Sequence, residues 1–312
     1  MKILHLDKNH PLLIEGLEKA GFSNVLEYHI SKSEVLKIIH KYDGVIIRSR
    51  FSLDSKILLK AKNLKFIGRV GAGTENIDVE FANANNIIVI NAPEGNKTAV
   101  AEHTLGMLLA LMNKLMYSHQ NIKNGIWKRE ISRGFELKGK TLGIIGYGNM
   151  GKSFAQKLIG LKCNVIFYDI KKNIGDKFAR QVDIETLKKQ ADILSLHIPE
   201  TKLTSGLINS NFILSMKKSF WFLNTGRGKC VVTKDLLRFL KNGKIIGAAL
   251  DVIEYESSSF SSIWRNTDDS RTINELANLD NVILSPHVAG LTYESQEKLA
   301  IVTLNKILDK FN

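Results

Sequence analysis

Short apolar runs alternate with stretches of helical periodicity along nearly the whole chain. That alternation predicts an α/β protein on parallel sheets, because each parallel strand needs a crossover to reach the next. In the first third, the runs predict strands at Lys2–Leu6, Gly44–Arg48, Lys65–Val70 and Ile87–Asn91. Helices are predicted at Pro11–Ala20, with proline in the first turn, and at Ser33–His40, where a serine can cap. Ala99–Asn121 then predicts one long helix with broad apolar cover, suited to a core or a subunit contact.

Breaks at Asn124-Gly125, Arg133-Gly134 and Lys138-Gly139 open a second α/β series. Its predicted strands are Thr141–Ile145, Asn164–Asp169, Ile193–Ile198, Phe220–Asn224, Ile246–Val252 and Val282–Ser285. Its predicted helices are Asn149–Leu161, Lys234–Lys241 and a closing Tyr293–Lys310. The polar stretch from the serine-rich 257–262 to about Asp280 predicts a surface loop holding one helix at most.

Composition narrows the class. With 312 residues, 44% of them hydrophobic and 24% charged, the chain can bury two domain cores and is not globally disordered. No apolar run approaches the roughly 20 residues of a membrane span, and Met1–Asp7 turns acidic too soon for a secretory signal. Cys163 and Cys230 lack metal-type spacing; buried thiols in a reducing, cytoplasmic setting are expected, with no metal. The net charge of +13 raises the question of nucleic acid. Its lysines are scattered over helix faces without an arginine-rich arm or aromatic stacking motif, so a solvated surface is expected, attractive to a small anion.

One motif carries chemistry. The strand Leu142-Gly143-Ile144-Ile145 runs into Gly146-Tyr147-Gly148-Asn149-Met150-Gly151, and a helix-capable stretch follows. In a strand–turn–helix, Gly146 permits the tight turn, Gly148 lets a pyrophosphate reach the backbone, and Gly151 lets helix pack on strand. The phosphate then rests on amides at the helix N-terminus. Such a site needs an acidic residue at the next strand end, about 20 positions on, for the ribose hydroxyls. Asp169 fills that place; a carboxylate there repels a 2′-phosphate, which favours NAD over NADP, although Lys171 and Lys172 soften the preference. A decoy, Gly68-Arg69-Val70-Gly71-Ala72-Gly73, has no acidic strand end after it, but its amides could hold a carboxylate.

Oxidising a hydroxyl needs a base near neutral pKa. Of the eight histidines, His287 follows a predicted strand end, where open α/β sheets place ligands, whereas His10, His29, His40 and His119 fall on surface helices or loops. Arg227 lies between glycines at another strand end and can fork onto a carboxylate; Glu256 lies beyond a third. Singly, each is an ordinary surface residue.

The ordered set Arg227, Glu256, His287, with its flanking sequences, closely resembles the D-isomer-specific 2-hydroxyacid dehydrogenase family. Motifs at Arg48, Gly71–Asp78, Glu102, Gly146–Gly151, His197-Ile198-Pro199, Asp251–Glu256 and His287 keep the family order along the whole chain. The resemblance implies a Rossmann-type doubly wound parallel sheet, residues 96–290, inserted into a flavodoxin-like α/β substrate domain, residues 1–95 plus 291–312. It implies that Arg227 binds the substrate carboxylate, that His287 takes the hydroxyl proton, and that Glu256 orients His287 and favours its charged form. It places Gly146, Gly148, Asn149, Met150, Gly151, Asp169, His197, Pro199, Thr225, Asp251 and Gly290 around NAD. Arg48, Arg69, Val70, Gly71, Ala72 and Gly73 would meet an anionic 2-hydroxyacid, with a homodimer formed partly through Ala99–Asn121.

Within that family, Ile47-Arg48-Ser49 and Gly68-Arg69-Val70 resemble the arginine-bearing strand ends of members that oxidise phosphoglycerate. A smaller acid such as glyoxylate, hydroxypyruvate or D-lactate is the nearest alternative, and a nucleotide-sensing corepressor on the same fold a more distant one. Three departures bear on substrate and regulation: Ser257 replaces the usual proline, Lys229 follows Gly228 where a second glycine is common, and the sequence ends before any regulatory domain.

Overall fold

A computed structural model describes residues 1–256 and 268–312. In chain order the first elements are β1 (Lys2–His5), α1 (Pro11–Lys19), β2 (Ser23–Leu26), α2 (Lys32–Ile38), β3 (Gly44–Ile47), α3 (Ser55–Leu58), β4 (Phe66–Arg69), α4 (Val79–Ala84), β5 (Ile88–Asn91) and α5 (Pro93–Met112). Next come α6 (Leu115–Lys123), β6 (Thr141–Ile145), α7 (Asn149–Lys157), β7 (Asn164–Tyr168), β8 (Arg180–Gln181), α8 (Ile184–Gln190), β9 (Ile193–Leu196) and α9 (Ser210–Ser215). The chain closes with β10 (Phe220–Asn224), α10 (Thr233–Lys241), β11 (Ile245–Leu250), α11 (Asp268–Ala277), β12 (Val282–Leu284) and α12 (Tyr293–Phe311).

Two compact units result. The first comprises Met1–Lys97 and Leu291–Asn312; the second comprises Thr98–Glu256 and 268–290. In the first, an all-parallel sheet runs β2-β1-β3-β4-β5, the flavodoxin order. Every residue of β3 is buried, as expected of an inner parallel strand covered on both faces. The C-terminal helix α12 belongs to this unit: Leu304 sits where a side chain on Gly16 of α1 would be, only 2.1 Å from an ideal Cβ. Leu299, Ala300 and Ile307 of α12 complete a core with Ile3, Leu13, Leu17, Ile46 and Phe66.

In the second unit, a parallel sheet runs β12-β11-β10-β9-β6-β7-β8. The order reverses between β6 and β9, which makes a topological switch point, where such sheets bind ligands at their carboxyl ends. Strands β9 and β10 are buried throughout. Apolar clusters fill both faces, one around Phe220, Phe222 and Leu240, the other around Phe154, Phe167 and Leu108.

The predicted helix Ala99–Asn121 is two helices. Lys114 adopts a left-handed conformation (φ 51°, ψ 37°) between α5 and α6. Asn113 turns its side-chain amide back onto the Leu109 carbonyl, and the returning Phe135 N–H takes the Met112 carbonyl, so the first helix is capped from outside. Helix α2 begins earlier than predicted, because Ser31 and Glu34, not Ser33, form a reciprocal capping box. Of the predicted 257–280 loop, 268–277 is the helix α11, and 257–267 lies outside the described residues.

Candidate active site

The glycine turn sits at the switch point, directly after β6. Gly146 has φ +91°, a backbone that favours glycine, and a Cβ there would lie 2.6 Å from the His197 carbonyl oxygen. A Cβ on Gly151 would lie 2.1 Å from the Gly146 carbonyl oxygen, so this glycine sets how closely α7 approaches the turn. Gly148 faces open space and is exposed, and no described side chain caps the first turn of α7. The amide end of α7, with Asn149 and Met150 in its opening turn, is therefore uncovered and suits an anion.

Asp169 directly follows the neighbouring strand β7 and accepts hydrogen bonds from the Tyr147 N–H (2.7 Å) and the Lys171 N–H (2.8 Å). Its carboxylate thus fixes the middle of the turn. Tyr147, which no sequence motif singles out, adds a second tie. Its ring stacks on Phe167 at 3.8 Å, and its hydroxyl donates to Asp176 (2.8 Å), which also pairs with Lys152 of α7 (2.8 Å). Burial alone would raise the Asp176 pKa, but Lys152, the Phe178 N–H and Tyr147 bring it down to about 2. Burial, then the Asp176 bond, pushes the Tyr147 hydroxyl well above its usual range.

Beyond β9, His197 shares a hydrogen bond with Ser195 (2.9 Å), and its buried Nδ1 has no partner among the described residues. Burial pushes its pKa down to about 3, so the ring is neutral and does not serve as a cation for phosphate. Pro199 turns its carbonyl to the Thr204 hydroxyl (2.6 Å).

Beyond β10, the fully buried Asn224 builds the arginine turn. Its Oδ1 accepts from the Gly226 N–H (3.0 Å) and its Nδ2 donates to the Arg227 carbonyl (3.0 Å). Arg227 Nη1 donates to the Gly226 carbonyl (2.7 Å). Thr225 meets Thr104 of α5 at 2.9 Å. The Thr104 hydroxyl gives its hydrogen to the Val100 carbonyl (2.7 Å), so Thr225 must donate to Thr104, which leaves Thr225 Oγ1 an acceptor only.

Beyond β11, Glu254 accepts the Thr233 N–H (2.8 Å) at the start of α10, anchoring the segment that ends in Glu256. Gly228 touches this segment: a Cβ on it would lie 1.9 Å from the Ile253 carbonyl oxygen. The arginine turn and the glutamate segment are thereby pressed together.

Beyond β12, His287 Nδ1 lies 2.8 Å from Glu256 Oε2. A carboxylate can only accept there, so Nδ1 carries the hydrogen and Nε2 is the ring nitrogen with the lone pair. His287 has φ +55°, left-handed for a non-glycine residue, a strain of the kind often held at working sites. Asp251 holds it: the Asp251 carbonyl accepts the His287 N–H (2.8 Å). The Asp251 carboxylate accepts the Val288 N–H (2.9 Å), the Ala289 N–H (2.8 Å) and the Ser285 hydroxyl (2.6 Å). Asp251, expected at the cofactor, is buried beneath the histidine loop. Gly290 is the last residue of this unit.

The first unit carries the remaining candidates. The Arg48 N–H donates to Asp7 (2.6 Å), while its side chain, half-buried, has no partner among the described residues. Arg69 folds its guanidinium over Gly71, where a Cβ would collide with it. The idea that amides of 70–73 are available for a carboxylate needs correction. The Val70 N–H extends the strand ladder to Ile47, and the Gly71 N–H closes onto Arg69, which leaves Ala72 and Gly73.

Residues 105–289 match the model of the D-isomer specific 2-hydroxyacid dehydrogenase NAD binding domain. The chain is 34% identical, over 99% of its length, to a D-3-phosphoglycerate dehydrogenase of Archaeoglobus fulgidus, of which it covers 57%. It is 35% identical to a hydroxypyruvate reductase of Thermotoga maritima, covering 97% of this chain and 94% of that one. A D-lactate dehydrogenase of Aquifex aeolicus, solved with NAD and lactic acid, superposes with TM-score 0.84 at 28% identity, covering 99% and 96% of the two chains. The chain thus spans little more than half of the archaeal relative and nearly all of the bacterial reductase.

Proposed function

Since the chain belongs to the D-isomer specific 2-hydroxyacid dehydrogenase family, we propose that it oxidises a D-2-hydroxyacid reversibly with NAD. The observation that carries this reading is the 2.8 Å pair of Glu256 with His287 in the same unit as the glycine turn. NAD fits the turn: Gly148 leaves room for a pyrophosphate, the end of α7 is uncovered, and Asp169 offers a carboxylate for the ribose. Bound there, the nicotinamide would supply the hydride acceptor. Thr225 Oγ1, fixed as an acceptor, suits a donor hydroxyl. Arg227 would hold the substrate carboxylate by a charged fork. His287 Nε2 would take the hydroxyl proton, and Glu256 would keep the ring in the right tautomer.

For substrate we infer 3-phospho-D-glycerate, oxidised to 3-phosphohydroxypyruvate as the entry step to L-serine. Arg48, whose guanidinium has no partner among the described residues, and Arg69 support a doubly charged phosphate. An NADH-consumption screen with phosphohydroxypyruvate, hydroxypyruvate, glyoxylate and pyruvate tests both levels. The phosphorylated acid is expected to give the highest kcat/KM. Equal rates without the phosphate would reject this substrate, and no turnover of any of the four would reject the dehydrogenase reading.

Asp169→Ala is expected to weaken NADH binding and narrow its advantage over NADPH, read by nucleotide-fluorescence titration. An unchanged ratio would remove Asp169 from cofactor choice. A cytosolic homodimer completes the reading. Both cysteines are free thiols. Leu115 and Met116, inside the predicted Ala99–Asn121, carry exposed apolar side chains, and Ile122 and Trp127 just beyond it continue them, the last 78% exposed. A monomeric mass in sedimentation would overturn the dimer.

A further inference from the structure

Three consecutive residues of α5 reach three different parts of the second unit. Glu102 pairs with Lys157 of α7 (2.7 Å), His103 meets Ser285 (3.0 Å), and Thr104 meets Thr225 (2.9 Å). The middle contact joins residues 182 positions apart and leads straight to the histidine loop.

The polarity of that contact is fixed. Ser285 has one hydroxyl hydrogen, and its 2.6 Å bond to Asp251 Oδ1 claims it. Toward His103 the serine oxygen can therefore only accept, so His103 Nε2 must carry a hydrogen. Asp251 is buried, and a buried carboxylate holds its place only when its oxygens are satisfied. Two backbone N–H groups and Ser285 satisfy them, and His103 Nε2 lies 3.6 Å from Oδ1 as the next donor outward. These same bonds hold residues 285–289 in the conformation that gives His287 its left-handed φ.

We propose that His103 is a positioning residue for the proton acceptor: its Nε2–H donates to Ser285, which in turn donates to Asp251, and this chain keeps the 285–289 loop set so that His287 stays on Glu256. Among the described residues the His103 ring meets Ser285 and Asp251 rather than His287, so it would act through them. The proposal rests on the reading of His287 as the base. Without the Nε2–H, the Ser285 oxygen loses its donor, and the strained loop has other conformations to relax into. A catalytic group displaced by about 1 Å loses on the order of a hundredfold in rate.

The test compares His103→Leu with His103→Gln, whose side-chain amide can place an N–H near the position of Nε2. In His103→Leu, kcat is expected to fall by about tenfold to a hundredfold, with NADH affinity unchanged. Amide hydrogen exchange in the nucleotide-free protein should quicken at Val288 and Ala289. His103→Gln should restore most of both. Native kcat and native exchange in His103→Leu would overturn the proposal, as would equal damage in both variants. His287→Ala run alongside separates the two levels. If it abolishes turnover while His103→Leu does nothing, only the positioning role fails; if it leaves turnover intact, the reading of the site itself fails.

Discussion

His287→Ala is expected to lower kcat by about 10²- to 10⁴-fold, the range of a lost general base, while NADH binds nearly as before. The two effects separate because the nucleotide turn is built without His287. Its shape is set by Gly146, Gly151, Asp169 and the Tyr147–Asp176–Lys152 tie. Alanine at 287 would still need the left-handed φ, so some loss of order in the loop is expected too. His287→Asn separates strain from chemistry, since asparagine tolerates that backbone but offers no comparable base. Asn and Ala variants equally inactive would assign the loss to the missing imidazole; unchanged turnover in either would reject His287 as the proton acceptor.

Arg227→Ala is expected to reduce kcat/KM for the 2-oxoacid by about 10²- to 10³-fold, the scale of a lost donor to developing charge. Both KM and kcat should move, because a carboxylate anchor also aims the reacting carbon. Arg227→Lys keeps the charge but not the planar fork and should recover only a small part. The turn itself should survive either change, since Asn224 builds it through the Arg227 carbonyl and the Gly226 N–H rather than through the guanidinium. Wild-type kinetics in Arg227→Ala would remove the anchor role. A loss confined to thermal stability would show a structural arginine.

What could be read from the sequence was whatever local physics decides. Glycines whose missing Cβ makes room leave a fixed spacing, and β10 is where its apolar run predicts, because a strand buried on both faces has nothing to hide. The α5–α6 break escaped because no glycine or proline marks it; a lysine takes the left-handed conformation, and a distant segment supplies the cap. The strand β2 escaped because an edge strand of Ser-Asn-Val-Leu lacks a continuous apolar run. The supports of the candidate site escaped for a third reason. Asn224, Glu254 and His103 act through partners that only tertiary structure brings near, and each is an unexceptional polar residue in its own segment.

The Gly228–Ile253 contact has a practical meaning for transplanting specificity. Loops at the carboxyl ends of parallel strands are the parts one would exchange between relatives to change what an enzyme accepts. Here two of them interlock with no space for a methyl group, so they form one cassette rather than two. Grafting 225–228 from a donor without its own 251–256 segment would force a backbone collision or a gap. The two stretches, though more than twenty residues apart in the chain, should be moved as a matched pair.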